Sequence, residues 1–245
     1  MATTISGGAP GVNTAAATVG PAGITFGDAT VQTTASAPNY VSTIYTSPAT
    51  WTKPSTLKAV RVTVLSGGGS GARQTGGPTA VGGGGSTGAY GFGFFPAPSI
   101  PGPVAVTVGP GGAAVTGGGV VATAGNAGGT TSFGALISAT GASGGDLSYT
   151  FPAGGAITTS PTVIGGPGFS NPGFTPAGAI LGGFRGASSN FGTGGDGKTA
   201  TTSNSSSAGT GYGAGGGGIT CPNNPGVAGT SGAGTAGFLI VEEFY

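Results

Sequence analysis

Five carboxylates are the residues of this chain that could carry acid–base chemistry, and no histidine accompanies them. They are Asp28, Asp146, Asp196, Glu242 and Glu243. Because histidine is the commonest general base and the commonest metal ligand, its absence leaves only carboxylates for either task. Glu242 and Glu243 are neighbours, but adjacent residues on a strand point to opposite faces. The sequence therefore predicts no catalytic residues, no metal ligands and no cofactor, although folding could still bring distant carboxylates together.

Two further features resemble chemical motifs: the single cysteine and a glycine run. Cys221 has no imidazole to activate its thiol and no second cysteine for a disulfide, so we expect a small, half-buried thiol. Residues 67–71 read Gly-Gly-Gly-Ser-Gly after an apolar run. A phosphate-binding loop must open a helix, and the Gly76-Gly77-Pro78 that follows prevents one.

Aromatic side chains set among glycines are the better candidates for a binding site. Rings supply rigid contact area at a low cost in entropy, and an arginine beside a ring can grip a sugar or an acidic group. The candidate receptor-binding residues, all between about 145 and 195, are Tyr149, Phe169, Phe174, Phe184, Arg185 and Phe191. Since these loops are far in sequence from the N-terminal segment and the closing strands, we expect them to project to a free end. The alternative is that the rings fill gaps between glycine segments.

The charge balance bears on the partners of the protein. Six basic and five acidic residues give a net charge of +1, which leaves no electrostatic footprint for nucleic acid or an anionic membrane. No run of about 18 apolar residues predicts a membrane-spanning helix, and the N-terminus lacks the pattern of a secretory signal. We therefore expect no nucleic acid partner, no membrane insertion and synthesis in a cytoplasm.

Glycine and proline decide the fold class. The 245 residues include 59 Gly and 18 Pro, and in a helix interior each Gly costs about 1 kcal/mol and each Pro about 3 kcal/mol relative to Ala. A disordered linker is the simplest alternative, but charged residues are only 4% of the chain and hydrophobic residues are 36%, which argues for a buried core. The composition predicts a mostly β fold, a small sheet or sandwich with long glycine-rich excursions and essentially no α-helix.

Period-two patterns indicate the strands of that framework. The clearest are Val60, Val62 and Val64, and then Val104, Val106 and Val108. Residues 40–46, which are β-branched and aromatic, are a further candidate, and residues 131–139 are a weaker one. Residues 237–245 close the chain with a strong candidate. A C-terminal strand rich in Phe, Leu, Ile and Val is rarely a loose tail, so we expect it to pair with the early strands.

The glycine tracts 66–95, 109–130 and 141–236 are then excursions from the framework. Glycine readily adopts the threefold polyproline II geometry, whose backbone groups point outward. Segments without Cβ atoms can approach closely and bond to one another, which satisfies their backbone groups. The tracts could thus form a bundle of polyglycine II helices, whereas collagen is excluded because its strict glycine at every third position is missing.

Residues 1–38 form a separate attachment or oligomerisation segment, followed by a glycine-rich β-domain over 39–245. The segment has one compact apolar stretch, residues 23–34, in which Ile24 and Phe26 alternate with Thr25 and predict a short strand. Ile24, Phe26 and Val31 have too few local partners to be buried within one chain. We therefore expect them to contact other copies of the chain or a docking protein.

The order of these motifs over two hundred residues resembles the glycine-rich domain of tail-fibre and fibre-tip proteins of tailed bacteriophages. The motifs are Trp51-Thr52-Lys53-Pro54, Val60-Arg61-Val62-Thr63-Val64 leading into Gly67, Val106-Thr107-Val108-Gly109-Pro110-Gly111, Gly128-Gly129-Thr130-Thr131-Ser132-Phe133 and Phe238-Leu239-Ile240-Val241-Glu242. The stretch from Gly23 to Asp28, with Val31 to Ala35, is similar to an element near the start of phage fibre proteins. Tract 141–210 is less regular than in some such adhesins.

The resemblance implies a homotrimer or tail-docked protein of the virion that contacts other tail or baseplate proteins. It also implies adhesion to a host surface saccharide or outer-membrane protein. The alternative hypothesis is a purely structural connecting or decoration protein of a tail or baseplate, without receptor contact.

Overall fold

The computed structural model describes most of the chain from Tyr40 onward and four short strands before it. The described residues are 3–5, 17–20, 23–25, 31–32, 40–76, 81–117, 121–147, 152–158, 163–169, 182–199, 204–222 and 228–245. The chain divides into two compact units, Met1–Asn39 with the terminal Tyr245, and Tyr40–Phe244.

The predicted mostly β fold is confirmed. Strands β1 to β10 are Thr3–Ile5, Ala17–Gly20, Gly23–Thr25, Val31–Gln32, Tyr40–Tyr45, Ala49–Trp51, Ala59–Leu65, Arg73–Gly76, Val81–Gly82 and Tyr90–Pro96. Strands β11 to β21 are Val104–Thr107, Thr116–Gly117, Thr131–Phe133, Ile137–Ala139, Val163–Gly166, Gly182–Gly183, Lys198–Thr199, Asn204–Ser205, Ile219–Pro222, Gly229–Thr230 and Phe238–Phe244. Within the described ranges the one helical element is a 3₁₀ turn at Ala97–Ser99, just after a proline.

The first unit contains an antiparallel sheet in the order β1-β2-β3-β4. Ile24 on β3 lies opposite Gln32, and Val31 on β4 lies opposite Thr25. Two of the three residues expected in attachment thus lie on paired strands, while Phe26 is outside the described residues.

The second unit is built on an antiparallel sheet in the order β15-β10-β7-β21-β5. The C-terminal strand β21 lies between β7 and β5, with Val241 opposite Val62 and Tyr45 opposite Leu239. The expectation that the last strand pairs with the early strands is therefore correct. Because β21 has a neighbouring strand on each side, its Phe, Leu and Val residues lie in the interior of the sheet, where most of them are buried.

A second sheet, in the order β14-β13-β11-β6, packs on the first and completes a sandwich. The core lies between the two sheets, where Val62 and Val64 of β7 meet Val106 of β11 and Phe133 of β13. Val62 is fully buried and Val106 is 2% exposed, as the period-two pattern predicts. The stretch 131–139 is a hairpin rather than one strand, because Gly134 takes a positive φ of 52° between β13 and β14.

The prediction that residues 66–95 form one glycine excursion is wrong at its end, since 90–96 form the long strand β10. Gly91 and Gly93 are buried while Tyr90, Phe92 and Phe94 face outward. A Cβ at Gly91 would collide with the Ile157 side chain. Glycine therefore occupies buried positions of β10 where a neighbouring side chain fills the space. As a result, aromatic residues of this strand lie on its outer face, the reverse of the usual hydrophobic pattern.

Glycine tract 66–72 shows the hydrogen-bond period of a polyglycine II helix. The N–H groups of Gly67 and Ser70 donate to the carbonyls of Gly129 and Asn126, respectively. In the same way, Gly68 and Gly71 donate to Thr235 and Gly232. Gly69 and Ala72 donate to Ser86 and Gly83. Every third residue returns to the same neighbouring tract, because the helix has three residues per turn. The partner numbers fall by three, so these three neighbours run antiparallel.

The carbonyl groups of the same tract bond to three further neighbours. They accept N–H groups from Ala142 and Gly145, from Gly112, and from Gly216 and Ile219. Tract 66–72 is therefore enclosed by six others, each reached by one side of its threefold helix. In the described residues the glycine tracts form the polyglycine II bundle that the sequence offered as one solution for them, and most backbone groups of tract 66–72 are paired although it is buried.

Close approach of the backbones explains why the residue must be glycine. A Cβ on Gly215, Gly216 or Gly217 would lie far inside van der Waals contact with a carbonyl oxygen of a different neighbouring tract. A Cβ on Gly102 or Gly166 would meet nothing within 4 Å. Glycine is therefore a steric requirement inside the bundle and not at these two positions.

The bundle extends from one end of the sandwich. Tract 66–72 continues directly from β7, and tract 231–237 runs back into β21. Tyr40, where this unit begins, pairs with Phe244 at the opposite end of the sheet. With about 3.3 Å per residue, β5 places Tyr40 roughly 20 Å from the start of the bundle.

Candidate functional site

A cleft of about 290 Å³ lies where the first sheet of the sandwich meets the bundle. We call it the aromatic cleft and define it by the residues that face it and are used below: Thr87, Tyr90, Pro167, Phe169, Ser189 and Asn190. It is lined by two rings, a proline and three small polar side chains. This composition is typical of small-ligand sites, which combine apolar walls with a few placed polar groups.

Two elements hold the rings on the side of the cleft nearest the sheet. Tyr90 is the first residue of β10 and pairs with Leu65 on one side and Gly166 on the other. The N–H of Phe169 donates to Thr87 Oγ1 at 2.7 Å, and the N–H of Thr87 donates to the Phe169 carbonyl at 3.1 Å. Both rings are therefore anchored through their own backbones, while the Phe169 side chain remains 60% exposed.

A tight turn, residues 189–192, forms the opposite side. Ser189 bridges to Gly192, and the N–H of Phe191 donates to Ser189 Oγ at 3.1 Å. The N–H of Tyr212 donates to the Phe191 carbonyl at 3.0 Å. Gly211 has a φ of 70°, and a Cβ there would strike that carbonyl. The turn is fixed by the adjacent backbone.

The turn carries Phe191 into a row of aromatic contacts beside the cleft. The Phe191 ring centroid lies 5.4 Å from Tyr90 and 5.0 Å from Phe238, edge-on to the latter. Tyr212 approaches Phe238 at 5.4 Å from the other side. Phe238 is buried, whereas Phe191 and Tyr212 are 43% and 40% exposed. The row therefore joins the sandwich to a solvent-facing aromatic surface.

The six candidate binding residues do not form one cluster. Phe169 faces the cleft and Phe191 packs next to it, and the projection of these loops to a free end stays a prediction. They lie beside the sheet because Phe169 bonds to Thr87 and Phe191 packs on Phe238. Tyr149 and Phe174 are outside the described residues.

Phe184 and Arg185 lie on a bundle tract instead. The backbone N–H of Phe184 donates to Gly82, and its carbonyl accepts from Gly218. The exposed Arg185 pairs with Asp196 at 3.2 Å and donates to the Gly194 carbonyl. Their backbone is part of the bundle, and the Arg185 guanidinium contacts a carboxylate of the same chain.

Of the six residues that define the cleft, Phe169 is a predicted binding residue, and Thr87, Tyr90, Pro167, Ser189 and Asn190 are not. Tyr90 lies in the tract that was taken for an excursion, and its alternation with Phe92 and Phe94 was the available signal. Asn190 carried no signal of its own, because its position depends on a turn that is defined by a distant glycine, Gly211.

Glu242, Glu243 and Cys221 interact with other residues of the chain. Glu243 accepts a hydrogen bond from Trp51 Nε1 at 2.6 Å, and Glu242 accepts one from the Tyr40 hydroxyl at 2.7 Å. Burial and the nearby Glu243 raise the pKa of Tyr45 above its ordinary value. Burial also raises the pKa of Cys221, which the charge of Arg73 partly opposes. The two glutamates face different partners, as expected for neighbours on a strand.

The described part of the chain holds no group of three or more acidic, cysteine or histidine side chains close enough to bind a metal ion. None of its helices has the length and apolarity to cross a membrane.

The family model described as "Glycine-rich domain" matches residues 42–242, which is most of the chain and nearly all of its second unit. No curated protein is significantly similar to the chain.

Proposed function

We propose that this chain, which belongs to the family of glycine-rich domains, is a structural module of a bacteriophage tail fibre that binds the host cell surface. The observation that carries the proposal is the solvent-facing aromatic surface at the junction of sandwich and bundle, held by a rigid backbone. The motif order that resembles fibre and fibre-tip proteins supplies the phage context. The proposal includes a homotrimer docked to other tail or baseplate proteins in the virion.

The architecture suits such a role because attachment and recognition can be separated. The second unit begins at Tyr40, at the end of the sheet remote from the bundle. The exposed rings of Phe169 and Phe191 lie at the opposite end of the same sheet. Within the second unit, the point where it begins and its aromatic surface are thus separate.

The bundle supplies rigidity without a second hydrophobic core. Its interior is mostly backbone, joined by hydrogen bonds in several directions. Ordering these glycines has a high entropic cost, which the backbone hydrogen bonds and close packing offset. Few side chains in the bundle carry reactive groups, and Glu242, Glu243 and Cys221 have structural contacts. For this reason we propose a binding protein rather than an enzyme, without a cofactor.

The second candidate function is that of a connecting protein without receptor contact. The outer face of the first sheet favours it, because Ile44, Phe94 and Ile164 are 64%, 52% and 65% exposed. Apolar patches of this kind often mark contacts between proteins. A neighbouring tail protein could cover this face.

Localisation in the virion tests both functions. Particles of the phage that encodes the chain are labelled with an antibody against residues 40–245 and imaged by electron microscopy. Label at the free end of a tail fibre supports adhesion, and label within the tail or baseplate supports the connecting role. Absence of the chain from purified particles contradicts both.

Cell binding then separates recognition from position. The purified full chain is expected to bind host cells and to inhibit phage adsorption in proportion to its concentration. A matched preparation with Phe94→Ala controls for the exposed sheet face. Failure of the properly folded chain to compete for host cells contradicts the adhesive function.

A further inference from the structure

We propose that the aromatic cleft binds one neutral hexopyranose ring of a cell-surface polysaccharide. The inference rests on the proposed adhesive function and names its receptor class. The cleft volume of about 290 Å³ is near the lower limit of the roughly 300–1,000 Å³ of small-ligand pockets. Such a volume suits one ring of a longer polymer.

The apolar part of the cleft fits one face of a sugar. The Phe169 ring is 60% exposed at the rim, with Tyr90 and Pro167 beside it. The negative face of an aromatic ring attracts partly positive hydrogens, and the axial C–H groups of a hexopyranose present such hydrogens on one face. A flat aliphatic ligand would bury the same area but would leave the polar groups of the cleft without partners.

Two polar groups are available for sugar hydroxyls. The Tyr90 hydroxyl and the Asn190 carboxamide make no hydrogen bond to another residue of the described part of the chain. A hydroxyl both donates and accepts, and a carboxamide has separate donor and acceptor atoms. Adjacent hydroxyls of a sugar offer the same combination. Ser189 and Thr87 instead hold the backbone of Phe191 and Phe169.

The absence of charge selects the class of sugar. None of the described residues facing the cleft is ionisable at neutral pH. A carboxylate or phosphate placed in the cleft would lose hydration without gaining a counter-charge, which is unfavourable. A neutral hexose has no such cost.

The site is also preorganised. Turn 189–192 is held by Ser189 and by the backbone of Tyr212, and Phe169 is held by two hydrogen bonds to Thr87. Rigid binding groups lose little entropy when a ligand binds. We therefore expect binding of a single sugar ring to be weak but measurable. In an oligomer, several copies of the cleft would bind one polysaccharide together and raise the overall affinity.

The test is a saturation-transfer NMR titration of the full chain with neutral glycosides. The probes are the methyl glycosides of glucose, galactose and mannose, with the methyl glycoside of sialic acid as the anionic comparison. We expect at least one neutral glycoside to bind with millimolar affinity and the sialoside to bind more weakly. Phe169→Ala and Asn190→Ala should weaken binding about tenfold, as for loss of a central contact, and Tyr90→Phe, which keeps the ring, should weaken it less.

Phe94→Ala is the control, since it removes a similarly exposed ring from the outer sheet face. It should bind like the parent, and all variants should keep the parent's melting temperature. The proposal is overturned when no neutral glycoside binds, when the sialoside binds best, or when folded Phe169→Ala binds like the parent. If one of these results is found but antibody labels the fibre tip of virions, the adhesive function is still supported and only the sugar site is excluded. If the chain binds a neutral glycoside but is absent from virions, the tail function is excluded.

Discussion

The glycines of the bundle differ from one another in what a methyl group would meet. Gly216→Ala would place a Cβ against the Gly232 carbonyl, in a tract with neighbours in several directions. Overpacking a rigid interior costs about 1–3 kcal/mol and sometimes more, so the free energy of unfolding should fall by at least that amount. Replacing Gly215, Gly216 and Gly217 together should prevent folding or lower the melting temperature much further. Denaturant titration measures both changes.

Gly166→Ala is the matched control, because a Cβ there meets nothing within 4 Å and no positive φ is required. Alanine restricts the unfolded chain, and a compatible Gly→Ala change gains about 0.4–1 kcal/mol. Equal effects at positions 166 and 216 would mean that the tracts behave as flexible linkers rather than as a packed bundle.

Cys221 gives a pH-dependent prediction at the same scale. Its thiol is 1% exposed, and burial raises its pKa above the ordinary value. The unfolded thiol ionises at a lower pH than the folded one, so stability should be unchanged below the ordinary thiol pKa and should fall as pH rises through the folded pKa. Thiol-reactive dye should label the native protein slowly and the unfolded protein quickly. Cys221→Ser should remove this part of the pH dependence; rapid labelling of native protein would contradict the burial.

Among the strands, β7 and β11 form the sandwich that positions everything else. Val62 and Val106 are buried in the same core, on the two sheets of the sandwich, so Val→Asp at either site buries a charge without a partner. We expect a loss of about 4 kcal/mol or more, in the range reserved for severe core damage. Val121→Asp is the control, since that side chain is 64% exposed. An unchanged melting temperature for Val62→Asp would exclude the sheet assignment.

The N-terminal strands make a separate prediction about assembly. Ile24 and Val31 lie on short paired strands, β3 and β4, and a sheet of such short strands gains little burial alone. We expect a trimer held partly by residues 20–36, so native mass spectrometry should find three copies of the full chain. Deletion of residues 1–38 should give folded monomers. A full-length monomer whose N-terminal segment resists protease would contradict this expectation.

Strands whose hydrophobic side faces the core were predictable from the sequence, as β7, β11 and β21 demonstrate. β10 was missed, because its buried positions include Gly91 and Gly93 and glycine has no hydrophobicity to reveal burial, although the alternation of Tyr90, Phe92 and Phe94 was a signal for a strand. The bundle could be foreseen as a possibility, since backbone groups in long glycine tracts need partners. Which tracts lie next to one another in the bundle could not be foreseen, because the tracts are joined by hydrogen bonds between peptide groups that are the same in every tract. The cleft was missed for the same reason: Tyr90 and Asn190 meet only after those pairings are fixed.

At the scale of the whole molecule, adsorption to host cells should depend on the aromatic surface between sandwich and bundle. Phe169→Ala removes the most exposed ring of the cleft without touching its backbone hydrogen bonds, so adsorption should fall about tenfold while the melting temperature stays constant. Phe184→Ala and Arg185→Ala should have smaller effects, because Phe184 is half-buried on a bundle tract and Arg185 already pairs with Asp196. Phe174→Ala is the fourth variant, at a predicted binding residue that lies outside the described residues. Phe94→Ala, on the outer face of the first sheet, is the control. Adsorption of all four folded variants at the parent's rate would place recognition elsewhere and favour the connecting role.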